Sequence, residues 1–198
     1  MEAQRAEVGR ARAGPDVCQA LGIPLERKYA AEDGPTFKTC FELVRRATTV
    51  PAVAVLALLD AAVFNLIVGN ADAHGKNFSL LYRAGGVTLA PFHDLLATVA
   101  YPDLSAKLAM KVAKRATLEE IGPTTWPEFA EDVGMGTAFV RRRVVELAEL
   151  VIAQAPMVAN SPALNGLDIK ALTNYSTIIA SRADLVARTG ARSGGGGS

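Results

Sequence analysis

Residues 69–94 read GNADAHGKNFSLLYRAGGVTLAPFHD. Two short apolar runs, FSLLY at 78–82 and VTLA at 87–90, flank Arg83-Ala84-Gly85-Gly86, with glycines where a tight turn needs positive φ. The spacing predicts a β-hairpin. Asn77 sits just before its first strand, and Asp94 lies four residues beyond its second. A hairpin begins and ends at the same end, so these two side chains converge. Asp72 lies five residues before Asn77 in the same loop. Two carboxylates and one carboxamide around one point are hard oxygen donors with no thiolate among them, a set suited to Mg²⁺. Both histidines of the chain, His74 and His93, fall in this stretch, together with Lys76.

The order Asp-x-His-x-x-Asn, hairpin, Asp has the logic of kinase-like phosphoryl transfer. One loop Asp takes the proton of the acceptor hydroxyl. An Asn five residues on and an Asp after the hairpin hold the Mg²⁺ that neutralises the phosphates. The plainer reading is a polar loop that satisfies its own backbone, and Lys76 fits that reading best, as a surface residue.

Upstream, PAVAVLALLDAAVFNLIVG at 51–69 is almost continuously apolar and long enough to span a bilayer. Asp60 and Asn65 interrupt it, no Trp or Tyr anchors its ends, and a mid-membrane Asp costs at least ~2.5–3.5 kcal/mol. It is expected to be a buried core helix from about Val53 to Val68, and no membrane association is expected. FKTCFELVRRA has apolar residues at 37, 40, 41, 43 and 44, one helical face. Pro15 and Asp16 are placed to start a short helix ended by Gly22.

Downstream, APFHDLLATVAYPD at 90–103 reads as irregular or partly helical, and the rest of the chain as helical. Thr117-Leu118-Glu119-Glu120 resembles a capping box. A helix is expected from Pro127. Two longer ones follow: 138–154 with an apolar face through Phe139, Val140, Val144, Leu147, Leu150 and Val151, and 168–188 with Ile169, Leu172, Tyr175, Ile178, Ile179 and Leu185. Arg141–Arg143 read as a solvated helix face. The fold class is therefore mainly α (α+β), a helical bundle with one small β-hairpin at the metal site.

The chain has 198 residues, enough for one domain that folds without disulfide or metal support. Residues 1–14 are expected to be a tail, 15–190 the folded lobe, and 191–198, ending in SGGGGS, an appended flexible linker. The charge is balanced, 21 Lys+Arg against 20 Asp+Glu, which argues against direct nucleic-acid binding. Cys18 and Cys40 form no framework, and the start lacks the apolar core of a secretory signal. A cytoplasmic protein with reduced, core-packed thiols is expected.

Residues 69–81, GNADAHGKNFSLL, and 89–96, LAPFHDLL, resemble the catalytic core of HipA-like serine/threonine kinases, toxins of bacterial toxin–antitoxin modules. CQALGIP at 18–24, RKY at 27–29, DGP at 33–35, KLAM at 107–110 and Trp126 are similar to the same family. The resemblance covers roughly Pro15 to Leu185. It implies ATP and Mg²⁺ as cofactors. Asp72 is then the catalytic base, with His74 beside the phosphates and Asn77 and Asp94 as Mg²⁺ ligands. His93 would lie near the nucleotide, where the family often has Tyr. A protein Ser/Thr is the implied acceptor, an aminoacyl-tRNA synthetase the implied substrate class and a DNA-binding antitoxin the implied partner.

One departure stands out. The family's N-terminal lobe carries a phosphate-covering loop and a strand Lys that contacts ATP, and no Gly-x-Gly-x-x-Gly or such a Lys is found here. The chain is expected to be the C-terminal lobe alone, weak or inactive until a separate chain supplies the N-lobe. Two other readings are a non-catalytic docking module for an antitoxin or complementary lobe, and a His/Asp metal-dependent phosphohydrolase using His74, the pair His93-Asp94 and a later Asp. Asn77 separates the kinase from the hydrolase, because only the kinase needs it.

Overall fold

The computed structural model describes residues 12–24, 27, 34–164 and 166–191. The elements run β1 Arg12–Asp16, α1 Val17–Ala20, α2 Phe37–Ala47, α3 Pro51–Val68, β2 Ser79–Arg83, β3 Gly86–Leu89, β4 Lys107–Val112, β5 Arg115–Thr117, α4 Thr125–Asp132, α5 Thr137–Ala159 and α6 Ile169–Ala191. The fold is mainly α with small antiparallel strands, as the periodicities imply.

Helix α3 is the axis of the molecule. Pro51 opens it at a position where the missing N–H costs nothing, and Gly69 in the left-handed conformation (φ 78°) closes it. Eleven of its 18 residues are buried, and it packs against α2, α5 and α6. The apolar run is thus a core helix of this lobe. Its one charge, Asp60, is met by Arg143 of α5 through two bonds of 2.7 Å.

Helix α2 sets its whole apolar face, Phe37, Cys40, Phe41, Leu43 and Val44, into the core. Phe129 of α4 stands edge-on to Phe37 and Phe41. Trp126 is fully buried and donates its indole N–H to Thr189 Oγ1 (3.0 Å), tying α4 to α6. Cys18 and Cys40 are both buried and unbonded to each other.

The expected hairpin is present, with register Leu80↔Leu89 and Tyr82↔Val87. Its tip is fastened to the turn between α2 and α3: Thr49 N–H donates to the Val87 carbonyl (2.9 Å), and Val87 N–H to Thr49 Oγ1 (2.7 Å).

Several elements correct the sequence reading. Arg12–Asp16, partly assigned to the tail, forms an edge strand on β2 with a register shift between Ala13 and Asp16. Gly14 and Pro15 mask it, yet both suit a bulged edge: Pro needs no ladder partner there. Gly14 also has no room for a Cβ beside the Tyr82 ring and Leu80 carbonyl (2.8 and 2.9 Å). Asp16 then caps a single helical turn through a capping box with Gln19. A second hairpin, β4–β5, replaces the expected helical stretch, so the metal-site hairpin is not the only one. Thr117 ends β5, and Glu120 accepts the Ala116 N–H (2.6 Å) instead of closing a capping box.

On α5, Phe139 and Leu150 are exposed although the apolar pattern placed them inward; on α6, the same holds for Ile169 and Leu185. The inward face of α6 is instead Ala183, Val186, Thr189 and Gly190. Small residues there let α5 approach closely, and Arg141 donates to the Gly190 carbonyl (3.0 Å). Arg141 and Arg143 are therefore structural anchors, and only Arg142, paired with Glu146, stays on the solvated face.

Candidate functional site

The site forms where α3 ends. Its last carbonyls are capped from three directions. Gly69 and Asn70 N–H groups donate to Asn65 O, Arg182 of α6 donates twice to Leu66 O (3.1 and 2.7 Å), and Thr98 Oγ1 donates to Gly69 O (3.0 Å). A cation at a helix C-terminus is favourable, and burial lowers the Arg182 pKa, with Glu119 acting the other way. A Cβ at position 69 would collide with the Val99 side chain, so glycine is needed there for space as well as for φ.

The loop leaving Gly69 is held at each step. Ala71 N–H donates to Thr98 Oγ1 (2.8 Å), and the Ala71 carbonyl accepts Ala109 N–H of β4 (2.7 Å). Asp72, at the outermost point, has a half-exposed side chain. The chain then turns inward, so that His74 and Asn77 are buried. Asn77 Oδ1 accepts the His74 N–H (2.9 Å), closing a tight turn through the 3₁₀ residues Gly75–Asn77. His74 Nε2 lies 4.0 Å from Asp72 Oδ2.

Across the base of the hairpin, Asn77 Nδ2 donates to Asp94 Oδ2 at 2.7 Å, although 17 residues separate the two. Phe78 and Phe92 meet edge-on just beyond them. Asp94 is exposed and holds φ at +59°, a conformation that Asp and Asn tolerate better than most residues. Asn77 and Asp94 therefore converge as the hairpin geometry requires, and Asp72 and Asp94 line one cleft of about 540 Å³ with Asn70, Leu96, Leu104 and Lys107. The buried His74 and Asn77 and the exposed His93 are not part of its lining. Lys76 is half-buried behind the loop and likewise does not line it.

Sequence reasoning missed Asn70, Thr98 and Lys107. Asn70 follows a helix-ending glycine and carried a weak polar signal; Thr98 lies in a segment with no motif, and Lys107 opens the KLAM stretch without being singled out. Among the described residues there is no cluster of three His, Cys, Asp or Glu side chains able to hold a metal. His93 lies outside the cleft that Asp72 and Asp94 line, so the structure offers no observation that favours the His/Asp phosphohydrolase reading.

Comparison with known proteins gives a consistent result. A family model described as HipA-like C-terminal domain matches residues 5–158. The kinase-designated protein Y4mE of Sinorhizobium fredii is 52% identical over 171 residues, covering 86% of this chain and 41% of that protein. The serine/threonine-protein kinase toxin HipA of Shewanella oneidensis is 27% identical over 181 residues, covering 85% of this chain and 42% of that protein. The solved complex of Shewanella oneidensis HipA, HipB and operator DNA contains a chain that superposes with a TM-score of 0.78 at 26% identity, over 88% of this chain and 45% of that one. The present chain thus spans less than half the length of each.

Proposed function

We propose, for a chain that belongs to the HipA-like C-terminal domain family, that its cleft is the catalytic C-terminal half of a serine/threonine kinase. The observation that carries this reading is the 2.7 Å contact of Asn77 with Asp94 at the base of the hairpin, on the same cleft as Asp72.

The donor set fits Mg²⁺. Asp72 and Asp94 offer carboxylate oxygens, while Asn77 donates Nδ2 to Asp94 Oδ2 and accepts the His74 N–H at Oδ1, so it would offer a cation the second lone pair of that oxygen. Asn77 and Asp94 would hold the ion, which when bound offsets negative charge on the phosphates of ATP. The chain's own residues do the rest. Asp72 accepts the proton of the acceptor hydroxyl as its oxygen bonds to the γ-phosphorus and ADP leaves. His74, whose Nε2 lies 4.0 Å from Asp72 Oδ2, would stand beside the phosphates. The turn closed by Asn77 Oδ1 on His74 N–H fixes base and metal ligand relative to one another, and positioning of this kind accounts for most of the catalysis of phosphoryl transfer. We assign no role to His93.

The acceptor proposed is a Ser or Thr of a cytoplasmic protein, with aminoacyl-tRNA synthetases as the class the family suggests. A DNA-binding antitoxin is the proposed partner, in the manner of HipB with HipA. Activity is expected to need an N-terminal lobe of the kind the family resemblance implies.

Calorimetric titration of the chain with ATP and Mg²⁺, against Asp94→Asn, tests the reading. Binding by the wild type and its loss in the variant support it. Binding that survives Asp94→Asn overturns it. No binding by either, even with a supplied N-lobe, favours a docking module. That second reading rests on one observation, an apolar groove of about 300 Å³ between α3, α5 and α6, lined by Phe64, Val68, Val151, Val158, Leu172 and Ile179.

A further inference from the structure

The cleft lining includes Asn70, a buried polar side chain to which the reading above gives no task. Asn70 is 3% exposed and stands between helix α3, the Asp72 loop and the Asp94 segment. Its Nδ2 group donates to Asn65 Oδ1 (2.8 Å) and to the backbone carbonyl of Asp94 (2.9 Å). Its Oδ1 accepts the backbone N–H of Asp72 (3.1 Å). Both N–H donors are thus used, and the orientation of the amide is fixed by its partners: a flipped amide would set its oxygen against two acceptors. Asn65 is itself anchored, donating to Ala61 O inside α3 (2.8 Å).

We infer that Asn70 is a positioning residue that sets the metal-binding Asp94 and the base Asp72 at a fixed separation; this rests on the kinase reading of the two carboxylates. The argument is geometric. Asp94 is gripped at two points by two asparagines, at its carbonyl by Asn70 and at its carboxylate by Asn77. Its left-handed backbone costs energy for a non-glycine residue and persists only where neighbours over-determine it. The Asn70 bond to the carbonyl is one of those constraints. The same amide holds the backbone of Asp72, so one side chain spans both carboxylates, and through Asn65 it refers them to the most buried helix of the fold.

The test begins without nucleotide. In ¹⁵N-labelled chain, the Asn77 side-chain amide reports its bond to Asp94. Asn70→Ala is expected to move that amide toward the position of a free carboxamide while the remaining dispersion is kept. Thr189→Val, which breaks a bond remote from the cleft, is expected to leave it in place. An Asn77 amide unmoved in Asn70→Ala overturns the inference. Should Asn70→Ala lose its native spectrum, Asn70→Asp carries the same test, since it keeps the acceptor for Asp72 and removes both donors.

The second readout is affinity for Mn²⁺·ATP by electron paramagnetic resonance. Asn70→Ala is expected to weaken it by about tenfold, the equivalent of one net hydrogen bond, with Thr189→Val at the wild-type value. In the Asn77→Ala background the Asn70 effect should shrink, because both act through Asp94. Unchanged affinity in Asn70→Ala overturns the inference alone. Wild-type affinity in Asp94→Asn overturns the kinase reading and leaves the clamp to be decided by the Asn77 amide.

Discussion

Helix α3 meets polar partners at two places, and it meets them differently. Midway along, Asp60 faces Arg143 in a closed two-bond ion pair, which raises the pKa of Arg143 chiefly through its hydrogen bond to Asp60. At the C-terminal end Arg182 caps the Leu66 carbonyl, and the remaining partners are neutral amides and a hydroxyl, Asn65, Asn70, Asn77 and Thr98, with carboxylates at the exposed rim on Asp72 and Asp94. The first arrangement holds the helix in the bundle. The second places two carboxylates on one cleft, with Lys107 on the same lining and His74 Nε2 4.0 Å from Asp72.

The comparison breaks most sharply at Arg143. Arg143→Ala leaves Asp60 facing the core without its partner and is expected to cost about 3 kcal/mol in urea unfolding, while Asp60→Leu with Arg143→Met recovers most of that. A loss of ATP·Mg²⁺ affinity in the same variant, measured on folded protein, would show that the two places are not independent. Asp94→Asn is the converse. It is expected to reduce ATP·Mg²⁺ affinity by about a hundredfold, near 2.7 kcal/mol, with little change in melting temperature, because Asn accepts the left-handed backbone at least as well. Thr189→Val, which releases the Trp126 indole far from either place, should cost about 1 kcal/mol in stability and nothing in binding.

The smallest effect separates the core from the rim by pH. Burial pushes the Cys40 thiol up to about 12 from 9.0, so the folded chain keeps it protonated where the unfolded chain ionises it. This contribution to stability is complete below pH 9.0 and is lost as pH rises from there toward about 12. Alkylation of Cys40 by iodoacetamide at pH 8 should therefore follow unfolding and not precede it. Rapid labelling of native protein would contradict this.

How much was legible follows from where the signals lie. The hairpin at 79–89 announces itself through Gly85-Gly86, and the meeting of Asn77 with Asp94 follows from that alone. The β4–β5 hairpin is silent because its turn puts Ala113 at φ +53°, where Gly, Asn or Asp would ordinarily mark the place. Strand β1 is hidden by a Gly-Pro pair that only an edge accepts. Helix α6 misled because Ile169 and Leu185 face outward, while its buried face adds only Val186 to Ala183, Thr189 and Gly190, small residues that hydropathy scarcely registers. Of the site, the carboxylates and Asn77 were readable from spacing. Asn70 and Thr98 were not, since their work is done by bonds to distant backbone atoms.

The burial of α3 also has a consequence for synthesis. The helix is complete at Val68, yet α5 begins only at Thr137 and α6 at Ile169. At about 5–20 residues per second, the hundred or so residues between α3 and α6 take roughly 5–20 s to emerge. For that interval a membrane-length apolar helix leaves the ribosome before the partners that will enclose it. A nascent chain arrested before α6 should be the form that trigger-type chaperones or the signal-recognition machinery engage, and completion of α6 should release it.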